Sequence, residues 1–225
     1  MKPWTVLART RTPDDTELTL AHHPSEYMIL ANGQSLMSSR KHGSEDALAV
    51  LGCRRAQTLP RPDVLVGGLG MGFTLRAALD CLPPTAHVLV AELVPAIVEW
   101  NHGPLGALAK HPLNDPRVQI EECDVAATLR MSPGRFDAVL LDVDNGPTAL
   151  TASSNAGLYD DQGVAAVRTS LTPGGVLAVW SARDDRQFAR RLRTAGFSVQ
   201  RERVRSRPSG GGARHTIFVA HKDRF

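Results

Sequence analysis

Asp63-Val-Leu-Val-Gly-Gly-Leu-Gly-Met-Gly-Phe-Thr-Leu-Arg-Ala-Ala-Leu79 is the stretch whose reading decides the fold. Its first four residues form an apolar run of buried-strand type, and Thr74 to Leu79 reads as the start of a helix. Between them Gly68, Gly70 and Gly72 make a turn in which backbone can approach a ligand closely, because glycine has no Cβ and tolerates positive φ. A second strand follows, Ala86-His-Val-Leu-Val-Ala-Glu92, with a carboxylate at its carboxyl end. An acid there, roughly 20 residues past the glycines, is placed to take the hydroxyls of a ribose. An adenosine-type cofactor is therefore expected.

Outward from this unit, strands and helices alternate from about residue 62. Strands are expected near 63–67, 87–92, 117–122, 136–142, 175–180, 197–204 and 215–221. Helices are expected near 73–81, 95–109, 125–130, 160–171 and 186–195. This alternation predicts an α/β fold: a Rossmann-like, doubly wound, mostly parallel seven-stranded sheet. The last two strands are joined without a helix and should form an antiparallel C-terminal hairpin. Residues 1–38 carry short alternating runs with turn signals at Thr12-Pro-Asp-Asp15 and Asn32-Gly33, and predict a small N-terminal β appendage. A helix over His42–Arg55 links the two, with Ser44 as its N-cap and Ala47, Leu48, Val50 and Leu51 on its buried side. The expected division is residues 1–55 for appendage and helix, and 56–225 for the adenosine-binding domain.

The 225 residues carry a formal net charge of +3, unevenly spread. Residues 1–182 hold 14 Lys and Arg against 19 Asp and Glu, whereas 183–225 hold 12 against 4. The basic end reads first as a solvated helix face plus an arginine-rich loop. Aromatic residues do not interleave the arginines, which disfavours nucleic acid as a partner. No apolar run has the roughly 20 residues of a membrane span. Met1-Lys-Pro-Trp-Thr-Val has no signal-peptide core, and a cytoplasmic protein is expected. Cys53, Cys81 and Cys123 are too few and scattered for a disulfide framework or a zinc site, so no metal is expected. The edge of the β appendage could pair two subunits as a homodimer.

The glycine spacing narrows the cofactor. A dinucleotide loop needs its third glycine one place later, where Phe73 stands, and no GxxxxGK[ST] loop exists. Two more acids end strands: Asp124 the third and Asp142 the fourth. Ligands in such sheets bind outside the carboxyl ends of the strands. Gly70, Glu92, Asp124 and Asp142 should share that edge, with Asp124 facing an adenine amino group and Glu92 the ribose. This points to S-adenosylmethionine or a relative.

At these positions the chain resembles the spermidine synthase (polyamine aminopropyltransferase) family, over about residues 29–180. The glycine motif Val66–Arg76 is similar to that family's. Ile29-Leu-Ala-Asn-Gly-Gln34 resembles its N-terminal hairpin, which implies a cofactor contact for Gln34. His42-Gly-Ser-Glu45 resembles its Tyr-His-Glu helix start. Asp115-Pro-Arg-Val118 with Cys123-Asp124-Val125, and Phe136-Asp-Ala-Val-Leu-Leu-Asp142-Val-Asp144-Asn-Gly-Pro147, look like its later motifs, the last being its catalytic loop. The resemblance implies aminopropyl transfer from decarboxylated S-adenosylmethionine to an amine. Asp142 and Asp144, two apart, point to one side in extended backbone, so Asp142 is read as the amine's anchor and Asp144 as the base. Asn145–Asp160 reads as a lid. The chain has Gly70 where the family has an acid that binds the donor's amino group, and Trp180 where it has Gln. Two other readings therefore stay open: a methyltransferase using intact S-adenosylmethionine on a substrate of another kind, an anionic one included, and a non-catalytic nucleoside-binding protein.

Overall fold

The computed structural model describes residues 3–143, 156–207, 209 and 211–224, the side chain of Ala156 excepted. Eleven strands fall into two sheets. The first is an antiparallel meander of β1 (Thr5–Arg11), β2 (Glu17–His23), β3 (Glu26–Ala31) and β4 (Gln34–Ser38), in that spatial order. The second contains β5 (Asp63–Gly67), β6 (His87–Glu92), β7 (Val118–Glu122), β8 (Phe136–Leu141), β9 (Leu171–Ser181), β10 (Phe197–Arg205) and β11 (Arg214–Lys222). Its order is β10-β11-β9-β8-β5-β6-β7. The five strands β9-β8-β5-β6-β7 are parallel, and β11 joins β9 and β10 antiparallel. This is the architecture that the alternation of elements predicts.

The central strands are covered on both faces, which is why β5, β6 and β8 read as nearly continuous apolar runs. The helices are α1 (Gly43–Gly52), α2 (Phe73–Cys81), α3 (Pro95–His102), α4 (Val125–Met131), α5 (Ala156–Tyr159), α6 (Asp161–Ser170) and α7 (Arg186–Thr194). Helix α1 lies so close to the sheet that a Cβ at Gly52 would sit 2.2 Å from Leu140 Cδ2 and 2.9 Å from Ala178 Cβ. One apolar core runs from Leu20 and Ile29 of the small sheet through Leu48 of α1 to Val66 and Leu75. The meander is thus packed onto the large sheet, and β1 is its outer edge, with Trp4, Val6 and Leu7 exposed.

Several local expectations are corrected. Ser44 does not cap α1: His42 is the N-cap residue, without a side-chain cap, and the buried Ser44 hydroxyl is used elsewhere. Val50 is exposed, and the buried stripe of α1 is Ser44, Leu48, Ala49 and Gly52. The helix expected over 95–109 ends at His102, where Gly103-Pro104 breaks it. Two 3₁₀ turns, Gly106–Ala109 and Pro112–Asn114, follow. Strand β9 starts at Leu171 because Leu171 already pairs with Phe136. Among the described residues no helix is long and apolar enough to cross a membrane.

Candidate active site

Strand β5 is flanked by β6 on one side and β8 on the other, so the chain winds in both directions from it. A crevice opens at such a switch point, outside the carboxyl ends of the strands. The three glycines that fill it serve different needs. A Cβ at Gly68 would stand 2.5 Å from the Asp142 carbonyl oxygen, so the loop can cross the end of β8 only as glycine. Gly70 has φ +51°, and its open side faces Met37 of β4, whose sulfur would lie 3.3 Å from a Cβ. Gly72 is the N-cap residue of α2 and faces Asn101 and Pro112.

Two side chains hold this loop. The Asn101 amide donates to the carbonyls of Gly70 (2.8 Å) and Ile97 (2.9 Å). The Glu92 carboxylate accepts from Leu69 N–H through Oε2 (2.8 Å) and from Val94 N–H through Oε1 (2.9 Å). Each carboxylate oxygen can accept a second hydrogen bond, so Glu92 can brace the loop and still meet a ribose.

A cleft of about 140 Å³ runs along this edge. Gly68, Gly70, Glu92, Asp124 and Asp142 all line it, which unites the strand-end acids as the sequence predicts. Asp124 caps α4 by accepting from Ala126 N–H through Oδ1 at 2.8 Å, leaving its other oxygen for a ligand donor. The opposite wall comes from the small sheet: Ile29, Leu36 and Met37, with Thr12, Asp14 and Thr16 of the β1–β2 turn at one end. The sequence marks that turn only as a turn.

A second pocket, about 70 Å³, shares Met37, Gly70 and Asp142 with the cleft and adds Glu45, Phe73 and Trp180. Here two acids sit among protein atoms. Asp142 Oδ2 accepts from the Thr74 hydroxyl at 2.5 Å, and Glu45 Oε2 accepts from the Ser44 hydroxyl at 2.6 Å. Burial raises the proton affinity of both. Glu45 is pushed from 4.5 to about 8, by desolvation first and the Asp142 charge second. Asp142 is pushed from 3.8 to about 6 by desolvation, against the Thr74 hydrogen bond. Neither forms an ion pair among the described residues. Unpaired buried carboxylates are costly, and a cationic ligand would offset that cost.

Two residues expected at the cofactor, Gln34 and Gly72, lie outside both pockets. Gln34 is exposed at the start of β4 and lines neither pocket; Leu36, Met37 and Ser38 are the β4 residues that reach them. Gly72 lines neither pocket and instead serves the packing of α2 against Asn101. Asp144 and most of the expected lid, through residue 155, lie outside the described residues. Tyr159 packs edge-on against Phe188 at 5.6 Å. His42 stacks on Phe73 at 4.1 Å and pairs with Asp46 at 2.9 Å. Thr74, Asn101 and Trp180 had no assigned role in the sequence, and no local pattern marks them, because each meets the site through tertiary packing. Among the described residues no group of three or more His, Cys, Asp or Glu is placed to hold a metal ion.

The fold and this strand-end site define a Rossmann-like α/β protein with a strand-end cleft walled by a small N-terminal sheet. No protein-family profile matches the chain. In sequence it is 29% identical over 197 residues to polyamine aminopropyltransferase 2 of Pseudomonas aeruginosa, covering 84% of this chain and 54% of that one. It is 30% identical over 148 residues to polyamine aminopropyltransferase 1 of Streptomyces coelicolor, covering 62% of this chain and 27% of that one. The chain thus spans about half the length of the first relative and about a quarter of the second. In structure it matches spermidine synthase of Thermotoga maritima with a TM-score of 0.75 at 19% identity, over 98% of this chain and 74% of that one. A spermidine synthase bound to the transition-state analogue AdoDATO gives 0.74 at 18%, over 98% and 73%. The chain is similar in sequence to polyamine aminopropyltransferases and has the spermidine synthase fold.

Proposed function

We propose that the protein is a transferase that moves an aminopropyl group from decarboxylated S-adenosylmethionine to a small amine. One observation carries this reading: Glu45 and Asp142, two half-buried acids without a cation partner among the described residues, face one pocket beside the nucleoside cleft. The cleft residues fit the donor. Glu92 would hold the ribose, Asp124 the adenine amino group, and the apolar Ile29–Met37 wall the thioether region. When bound, the donor supplies a sulfonium-activated carbon for in-line attack.

The chain's own residues position the acceptor and take its proton. Glu45 and Asp142 attract an ammonium group and, with raised proton affinity, are suited to receive a proton from it. Asp144 is the second proposed acceptor, from its place in the sequence. The variants Glu45→Gln and Asp144→Asn separate the two: losing the proton acceptor lowers kcat while donor KM holds.

The glycine at 70 favours the methyltransferase reading, because the loop acid of aminopropyltransferases is absent. Charge argues the other way. The methionine carboxylate of the intact cofactor would be brought towards these two acids, whereas the decarboxylated donor brings only an ammonium. Calorimetry with both forms, followed by mass analysis of products from a panel of diamines, tests the proposal. Tighter binding of the decarboxylated form and aminopropylated product are expected. Preference for the intact form without such product overturns it.

A further inference from the structure

The transfer leaves one proton to be disposed of at each turnover. The acceptor amine loses an N–H proton and its lone pair forms the new N–C bond. The C–S bond breaks, and its electrons leave the sulfur as a neutral thioether. The proton stays on a carboxylate at the bottom of a narrow pocket.

A hydrogen-bonded path leads away from that carboxylate. The Ser44 hydroxyl lies 2.6 Å from Glu45 Oε2, and His215 Nδ1 lies 2.9 Å from the same hydroxyl. Ser44 is fully buried at the start of α1. His215 is half-buried near the start of β11, next to exposed Arg214. Its ring is fixed by an edge contact with Trp180, centroids 4.6 Å apart, and Trp180 itself lines the acidic pocket. Two neighbouring residues of α1 and one 171 positions away thus form a carboxylate–hydroxyl–imidazole chain that starts in the pocket and ends near the surface.

We propose that Ser44 and His215 are a proton relay that empties the Glu45–Asp142 pair after each transfer. This rests on the aminopropyl-transfer reading. With Glu45 ionised, the Ser44 hydroxyl donates to it and His215 Nδ1–H donates to Ser44. Once Glu45 holds a proton, it donates to Ser44; the ring gives up its Nδ1 proton and gains one on Nε2 by exchange with solvent, and the Ser44 hydroxyl turns to donate to the bare Nδ1. The imidazole takes that proton and releases its Nε2 proton outward. Burial, and then the Lys41 charge, lower the proton affinity of His215, so the ring passes a proton on. The other groups around it are Glu45 on α1 and Asp142 beyond it. Strand β10 sets Val204 opposite His215, and β9 offers Trp180; neither titrates.

Two measurements test the relay. The first needs no activity: nitrogen chemical shifts of His215 in ¹⁵N-histidine-labelled protein report its tautomer as pH rises. A switch from Nε2–H to Nδ1–H, tracking Glu45 ionisation and abolished in both Ser44→Ala and Glu45→Gln, is expected. A tautomer that ignores pH, or a switch that survives Ser44→Ala, overturns the relay. The second uses His215→Asn, which keeps a hydrogen bond to Ser44 but cannot carry a proton. Its kcat for decarboxylated S-adenosylmethionine with 1,4-diaminobutane should fall about 10-fold, less than the roughly 100-fold or more that a directly positioned acid or base contributes, because the relay acts through Glu45. Donor KM should hold, and added imidazole should restore the rate. An unchanged kcat, or a loss that imidazole does not restore, overturns the relay. Absence of product from the wild type with any diamine refutes the transfer reading instead, and the tautomer measurement then decides by itself whether the chain exists.

Discussion

Replacing Glu45 by Gln should stabilise the protein in alkaline solution much more than in acid. Folding raises the proton affinity of this carboxyl from its ordinary 4.5 to about 8. Between those values the folded protein holds a proton that the unfolded chain has lost, so stability falls as pH rises through that window. This sign is opposite to that of a salt-bridged acid. At about 1.36 kcal/mol for each tenfold in proton affinity, the whole window amounts to at most about 5 kcal/mol. Roughly 4 kcal/mol of it is expressed between about pH 5 and about pH 9. Relaxation around the charge and water entering the pocket reduce this to ~2 kcal/mol. Gln keeps the shape and an acceptor for Ser44, so its other effects appear at both pH values and cancel. In a chain of this size about 1 kcal/mol moves Tm by about 2–4 °C, so the gain over wild type should grow by about 4–8 °C from acid to alkaline buffer. Thermal unfolding followed by circular dichroism at the two pH values measures it. A gain that is equal at both, or larger in acid, refutes the claim that Glu45 is a desolvated carboxylate without a cation partner among the described residues.

Three further outcomes are expected. Asn101→Ala removes the hydrogen bond that tethers the glycine loop at Gly70, together with the one to Ile97 within α3; urea unfolding should show a loss of about 1–3 kcal/mol, and methylthioadenosine should bind more weakly by calorimetry. Gly52→Ala places a methyl 2.2 Å from Leu140 Cδ2, and the overpacking should cost about 1–3 kcal/mol in the same assay; wild-type stability would contradict the close seating of α1. Gly70→Asp returns an acid to the loop at a φ of +51°, costs roughly 1 kcal/mol, and should shift the calorimetric preference further towards the decarboxylated donor; an unchanged ratio of the two affinities counts against the amino-group subsite lying beside Gly70.

The large sheet was legible because its central strands leave a one-dimensional trace. β5, β6 and β8 are buried on both faces, so nearly every residue is apolar and the runs stop sharply at Gly67, Glu92 and Asp142. Helix ends were less legible. Ile97, Val98, Trp100, Leu105 and Ala109 continue a helical spacing across Gly103-Pro104, because the 3₁₀ turn after the break buries its apolar residues against the same core. The Ser44 cap failed for a related reason. A serine at a helix start satisfies the capping pattern, but whether its hydroxyl turns back to the backbone depends on what packs against it. Here that is His215, 171 residues away in sequence.

The same distinction divides the site. Residues placed by their own strand ends, Glu92, Asp124 and Asp142, could be assigned to one edge because in a parallel sheet the carboxyl ends all face one way. Of the residues carried in by a different layer, Glu45 was marked only by its resemblance to the Tyr-His-Glu helix start, and Met37 not at all. Met37 and Glu45 reach the crevice only because the meander and α1 are laid across it, and nothing in their local pattern encodes that approach. The cost of reading locally is clearest at Gly70. Along the sequence, the absent loop acid weakens the case for an amine-handling enzyme. In space, Glu45 lines the same pocket as Gly70, so a carboxylate is present there after all, delivered from a helix in place of the loop. Position 70 could then become glycine and let Met37 close in without emptying the pocket of negative charge. A motif comparison scores that exchange as a loss, whereas the electrostatics of the pocket keep the sign needed to hold an ammonium.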